Sequence, residues 1–370
     1  MQNNPLTAIW QSIDRYIGRG QRFAQEFFNR ASAPIDVQYG IALKRMQEGE
    51  FEDAATRLKM VVKFRPQHVD AWYQLGICAS ESGDVADAEE AYQQVLHLNP
   101  AHEEARFMLA VASPMALPQE QQPKFTPLSL ATPYFDDMAA DYDVEQLEVL
   151  GYHGHERLHE SVSKFLKPDY RHYHIVDLGC GTGLVGTLFR DVAGKMEGVD
   201  ISPAMLEQAA NRRDSKGRAV YDELHTVDLR RFLLDQTPTS VDIITAANVF
   251  PYVGGLTPVF DGAVHILKVG GLFAFTVEET DAPEFGLIAG EGRFGHQDAY
   301  IIEQAKRVGM DVVESRPVAL YDDYEAMQYV LRKSAPNVVG AESQNMSQPK
   351  PAQPATPAQS QAPGYASPAT

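Results

Sequence analysis

Cysteine is nearly absent from this chain: Cys78 and Cys180 are the only two in 370 residues. A disulfide framework is excluded, and a reducing, cytoplasmic setting is expected. Positive charge is also scarce. Lys and Arg number 32 against 50 Asp and Glu, for a formal net charge of −18. No run interleaves Lys or Arg with aromatics, and spots such as Arg212-Arg213 and Arg230-Arg231 read as solvated helix faces. Such a surface repels a polyanion, so no nucleic-acid partner is expected. Long apolar runs are missing too. No window of about 18 uncharged apolar residues occurs, so no membrane span is expected. The first residues lack a cationic stretch leading into an apolar one, and Asp14 and Arg15 interrupt them early. A secretory leader is not expected either.

What is present is enough for a sizeable core. Apolar residues make up 44% of the chain, and its length suggests two or three domains. Residues 35–68 align with 69–102 at a constant offset. Gly49 matches Gly83, Ala54 matches Ala88, Val61 matches Val95 and Pro66 matches Pro100. The second copy reads Trp72, Leu75, Gly76, Gly83, Ala88, Tyr92, Pro100, which resembles the tetratricopeptide repeat in pattern and period. The first copy departs from it, with Gln38 where Trp is usual. Small residues let paired helices approach, and the prolines stop them.

Five domain segments are therefore expected. Residues 1–34 form an N-terminal helical cap, and 35–112 hold two repeats plus a capping helix. Residues 113–133, with five prolines, form a stiff extended linker rather than a helix. Residues 134–333 alternate strands with helices, the pattern of a mostly parallel sheet covered on both faces. Residues 334–370 are rich in Pro, Ala, Gln and Ser with few charges, a composition expected to stay disordered.

The chemistry concentrates in the segment Asp177-Leu178-Gly179-Cys180-Gly181-Thr182-Gly183. A strand enters a glycine-rich turn and a helix leaves it, so a ligand can approach the backbone closely. Gly198-Val199-Asp200 follows at the end of a second strand, where a carboxylate can hold both hydroxyls of a ribose. The loop reads G-x-G-x-G and not the dinucleotide G-x-G-x-x-G. Asp177 beside it would repel a pyrophosphate and suit a ligand carrying an ammonium and a sulfonium. Charge therefore favours S-adenosylmethionine over a nicotinamide cofactor.

Together with Ile201-Ser202-Pro203-Ala204-Met205-Leu206, these motifs resemble the class I S-adenosylmethionine-dependent methyltransferases, over about residues 134–333. With the repeats, the chain is similar to bacterial predicted methyltransferases that carry tetratricopeptide repeats. The resemblance implies a Rossmann-like α/β fold with a seven-stranded, mostly parallel sheet, closed by an antiparallel hairpin over Val312–Leu320 and Ala326–Leu331. It implies that Asp177 and the backbone of Gly179, Cys180 and Gly181 hold the methionine part, with Gly183 completing the loop. It implies that Asp200 with Ile201 binds the ribose, and that Asp228 with Leu229 meets the adenine. Asp228 also suits a helix N-cap, a role that can coexist with the adenine contact. The stretch from Tyr134 to Asp143 resembles the opening helix of small-molecule methyltransferases, which makes Tyr142 a lid over the cofactor or a packing aromatic.

Acceptor residues belong at the carboxyl ends of the strands. Asn248 and Tyr252 follow the fourth strand and are candidates. Gly292-Arg293-Phe294-Gly295-His296 resembles a stretch of the repeat-bearing enzymes. His296 is then a general base or a helix cap, and Arg293 an anion partner or a surface ion pair. His155-Glu156-Arg157-Leu158-His159 fits the H-E-x-x-H zinc pattern but precedes the first strand without a third ligand at family spacing, so no metal is expected.

The expected activity is methylation of a small molecule. Two alternatives are methylation of a protein docked on the repeats, and a non-catalytic scaffold that binds the cofactor. Calorimetric titration of the whole chain is expected to give heat with S-adenosylmethionine and none with NADH. The reverse result would refute the charge argument at Asp177.

Overall fold

The computed structural model describes residues 34–335 apart from Ala289. The expected cap over 1–34 lies outside the described residues except for its last position, and so does the expected tail beyond Ala335.

Five helices open the described chain: α1 (Pro34–Gln47), α2 (Phe51–Phe64), α3 (Val69–Glu81), α4 (Val85–Leu98) and α5 (Glu103–Ala112). The starts of α3, α4 and α5 are capped by side chains that accept from the first turn. His68 accepts from the Ala71 amide, Asp84 from Asp87 and His102 from Ala105. Gly49 and Gly83 occupy equivalent turns at φ 76° and 75°, a left-handed conformation that favours glycine. Gly76 permits the closest approach within the second repeat. A Cβ there would stand 2.5 Å from Tyr92.

The stretch 113–133 is not the extended linker expected from its prolines. It forms single 3₁₀ turns at Pro114–Ala116 and Gln119–Gln121, and then α6 (Leu128–Met138) begins. Pro127 stands at the N-cap and Pro133 inside the helix. An early proline lacks an amide that the first turn cannot satisfy anyway, so Pro127 starts the helix rather than preventing it. Pro133 is buried and the helix tolerates it at the cost of one hydrogen bond. The extended part, near 123–127, is fastened to the α/β region. Phe125 bridges Val253, the Thr126 amide donates to Tyr252 and the Gly255 amide to Lys124.

After a wide turn at Val144–Val149 and α7 (Gly154–Ser163), the alternating region begins. Its strands are β1 (Tyr173–Leu178), β2 (Ala193–Asp200), β3 (Glu223–Thr226), β4 (Val241–Ala246) and β5 (Leu267–Val277). Between them run α8 (Leu184–Phe189), α9 (Pro203–Asn211), α10 (Leu229–Asp235) and α11 (Thr257–Ile266). A short hairpin follows, β6 (Phe285–Leu287) with β7 (Phe294–His296), then α12 (Asp298–Val308), β8 (Met310–Tyr321) and β9 (Tyr324–Lys333). The main sheet has seven strands in the order β3-β2-β1-β4-β5-β9-β8. The first five are parallel, and β9 runs antiparallel to both β5 and β8. This is the Rossmann-like sheet with a closing hairpin that the sequence implied. The order reverses between β1 and β4, so a crevice opens where their carboxyl ends part.

The repeats and the sheet lie in one compact unit. Their junction is apolar. Phe107, Leu109 and Val111 of α5 share a core with Leu117, Leu130 and Phe294, and Phe285 and Leu287 pack on its edge. The rings of Phe107 and Phe294 lie 6.4 Å apart, and both are fully buried. Phe107→Ala should therefore cost roughly 3–5 kcal/mol in urea unfolding of the whole chain. Phe64→Ala, at a mostly exposed position, should stay within about 0.5 kcal/mol. Equal losses for both would contradict a joint core.

Candidate functional site

Burial and turn geometry build the site at the β1/β4 switch. Leu178 ends β1 in the core, and the chain must then turn sharply to start α8. It does so through Gly179, Gly181 and Gly183, at φ 61°, 52° and 96°. A Cβ on Gly179 would meet Val249 at 2.6 Å, whereas a Cβ on Gly181 would meet nothing within 4 Å. The open side of Gly181 faces a cavity of about 110 Å³.

The cavity gathers most of the expected residues. Gly179, Gly181, Asp200, Ile201, Asp228, Leu229, Asn248, Tyr252 and Tyr142 all line it. Asp200 is anchored from two sides: one oxygen accepts from the Gly181 amide at 2.9 Å, the other from the Ser202 amide at 2.9 Å. Burial raises its pKa, and these amide bonds oppose the rise. Asp228 caps α10, accepting from the amides of Arg230 and Arg231. Its second oxygen takes the Arg230 guanidinium at 2.7 Å. Burial would lift this carboxyl, but Arg230 holds it below its ordinary value. Capping and lining the cavity thus coexist at one residue.

Asp177, Cys180 and Gly183 do not line the cavity. Asp177 is 1% exposed. It accepts from the Tyr221 hydroxyl at 2.7 Å and from Thr245 at 2.8 Å. Burial lifts its pKa to about 7, against those two bonds. A carboxylate enclosed in this way braces β1 and does not reach a ligand's ammonium. The Cys180 side chain packs under β2, where a Cβ on Gly198 would stand 2.9 Å from its sulfur. The amides of Cys180 and Gly181 are already given to Val199 and Asp200. The loop offers its open surface rather than free N–H groups. Gly183 is the left-handed N-cap of α8, packed on Tyr221.

His296 is not a base. It is 1% exposed on β7, and its Nε2 faces the carbonyls of Val253 and Gly254 at 3.0 and 2.9 Å. Both are acceptors, so Nε2 carries the proton. Desolvation pushes the pKa down to about 4. The residue cross-links the hairpin to the loop after β4. It is not a helix cap either: Gln297 takes the N-cap position of α12 without a side-chain bond.

Arg293 lies behind the cavity wall. Its Nη1 reaches buried Glu278 at 3.0 Å, and its Nε and Nη2 both reach Glu291. Its charge is felt by Tyr134, Tyr252 and Tyr321, and it stands 5.5 Å over the Tyr324 ring. Asn248, left-handed at φ 56°, donates to the Tyr321 hydroxyl at 3.2 Å. The sequence reading missed Glu278, Tyr321 and Tyr324. A carboxylate just past the end of β5 was the available signal for Glu278. The tyrosines come from a late hairpin whose register no local pattern reveals.

Comparison with known proteins fits this geometry. Residues 176–273 match the methyltransferase domain family, and residues 45–109 match the tetratricopeptide repeat family. Residues 176–273 are thus similar to methyltransferase domains, and they follow a stretch similar to tetratricopeptide repeats. A ubiquinone biosynthesis O-methyltransferase of Idiomarina loihiensis is 24% identical over 123 residues, 33% of this chain and 49% of that protein. A malonyl-[acyl-carrier protein] O-methyltransferase of Brevibacillus brevis is 26% identical over 144 residues, 38% of this chain and 50% of that protein. The chain spans about half the length of these curated relatives. The magnesium protoporphyrin IX methyltransferase of Synechocystis superimposes with a TM-score of 0.44 at 14% identity, covering 56% of this chain and 97% of that one. No described helix is long and apolar enough to cross a membrane.

The His296 assignment has a pH consequence. Its folded pKa lies below the unfolded value near 6.5, so its contribution to stability is full above about pH 6.5 and is lost as pH falls towards 4. The loss amounts to about 3 kcal/mol, at roughly 1.4 kcal/mol per unit. The His296 ring resonances, assigned by comparison with His296→Phe, should show no titration between pH 8 and 5.5. An ordinary midpoint near 6.5 would restore it as a candidate base.

Proposed function

We propose that the chain transfers the methyl group of S-adenosylmethionine to a small-molecule acceptor. The observation that carries this reading is the two-part lining of one cavity. Asp200, Ile201, Asp228 and Leu229 stand on one side at the ends of β2 and β3, and Asn248 and Tyr252 stand on the other after β4. Asp200 takes the ribose hydroxyls, and Asp228 presents its carboxylate edge to the adenine. Gly179 and Gly181 let the cofactor lie against the backbone, and Tyr142 covers it.

S-adenosylmethionine supplies a methyl group on a positively charged sulfur. The protein's part is alignment and exclusion of water. Tyr142, Phe135 and Tyr252 shield the cavity with aromatic faces, and the rings of Phe135 and Tyr252 meet edge-on at 4.9 Å. Asn248 is held at the rim by Thr276 and Tyr321. The lining carboxylates, Asp200 and Asp228, are both committed to amides or to Arg230.

A second reading has the repeats dock a protein acceptor. It draws on the core that joins α5 to the hairpin bearing Arg293. A pull-down that recovers a methylated protein only with the repeats present would favour it.

Asp200→Ala removes two ribose bonds and should weaken S-adenosylmethionine by about 2 kcal/mol, roughly 30-fold. Calorimetry reads this, with a melting curve confirming the fold. Undiminished affinity would refute the ribose assignment. A wild-type chain that does not bind the cofactor would refute the methyl-transfer reading.

A further inference from the structure

We propose that the base of S-adenosylmethionine lies against Phe125, a ring supplied by the strap between the repeats and the sheet, and that Arg230 holds this ring in place. This rests on the methyl-transfer reading above. The strap is the extended stretch 123–127. Phe125 and Thr126 line the cavity from it, beside Asp228, Leu229 and Arg230 at the start of α10. The guanidinium carbon of Arg230 stands 4.1 Å over the centre of the Phe125 ring, well inside cation–π reach. Phe125 is half-buried, so the contact with Arg230 does not use up its surface.

Three segments fix the orientation of the ring. Asp228 caps α10 and takes the Nε and Nη2 edge of Arg230, at 2.9 and 2.7 Å. A guanidinium gripped along one edge keeps its flat face for an aromatic partner. On the other side the strap is stitched to the loop after β4. Phe125 bridges Val253, the Thr126 amide donates to the Tyr252 carbonyl, and the Gly255 amide donates to the Lys124 carbonyl. Thr126 is 5% exposed, and its hydroxyl has no partner among the described residues. A buried hydroxyl left bare is costly, and a polar group of a bound ligand would relieve it.

The chemistry of the ligand selects its base for this wall. The ammonium, the carboxylate and the ribose hydroxyls call for charged or hydrogen-bonding partners, and Asp200 already stands for the ribose. The base alone offers a flat face, and such faces stack on aromatic rings whatever their edges carry. In the methyl-transfer reading Asp228 meets the edge of the base. The same carboxylate sets Arg230, and Arg230 sets Phe125, so one residue governs both the edge contact and the facial one. The catalytic region by itself then lacks one wall of its cofactor site, because that wall arrives with the strap.

The test uses the full chain and S-adenosylhomocysteine, which carries the same base. Phe125→Ala should weaken it about tenfold in calorimetry, as loss of an aromatic platform under a base does, and Phe125→Tyr should bind as wild type. If Phe125→Ala melts early, Phe125→Leu serves in its place, with apolar bulk and no flat ring. With protonated phenylalanine rings on a deuterated background, the base protons on C2 or C8 should give nuclear Overhauser contacts to the Phe125 ring, assigned by their loss in Phe125→Leu. A merely structural role would lower affinity without these contacts. Arg230→Met should cost about threefold, and nothing further in the Phe125→Ala background. Additive losses overturn the role given to Arg230. Full affinity without the ring, or a bound ligand that makes no contact with it, overturns the proposal while methyl transfer stands. A wild-type chain that does not bind S-adenosylhomocysteine removes both.

Discussion

Asp177 holds the switch point together. It closes β1 with its carboxyl buried, and it accepts from Thr245 on β4 and from Tyr221 on the approach to β3. Three segments that diverge around the crevice are thereby tied at its floor. The glycine turn thus rises from a strand that is tied to its neighbours on both sides. A buried carboxyl is expensive unless its lone pairs are used. Here two hydroxyls use them, and Asp177 supports the cavity from below without lining it.

Much of this was legible in the sequence, for physical reasons. The repeats announced themselves through small residues at a fixed period, because close helix packing and left-handed turns restrict which side chains fit. The glycine loop and Asp200 were legible because strand, turn and second strand end leave a fixed local spacing. What failed to show depends on partners far along the chain. His296 looked like chemistry. His296 proves to be a cross-link because Val253 and Gly254 present carbonyls to it from 43 and 42 positions away. Asp177 looked like a ligand contact until Tyr221, 44 positions on, took its oxygen. The prolines of 113–133 looked like a rigid spacer, yet a proline opening a helix is compatible with it, and composition alone does not fix where the helix starts.

The acceptor side shows the same division. Asn248 was legible as the residue leaving β4. The tyrosine wall was not, since it draws Tyr134 and Tyr142 from the region before the sheet and Tyr321 and Tyr324 from its last hairpin. Such a wall forms only when the closing hairpin folds back beside β5. Burial raises the pKa of each of these phenols, so they stand as neutral hydroxyls.

The core joining Phe107 to Phe294 bears on how separable the two parts are. Repeats are commonly pictured as cassettes that can be shuffled between catalytic domains. Here the last described repeat helix packs Phe107 against Phe294 of the hairpin. A transplanted repeat array would arrive with the wrong knob for that contact, and a transplanted catalytic domain would expose Phe294 to water. Any exchange of either part must therefore preserve the fit between positions 107 and 294.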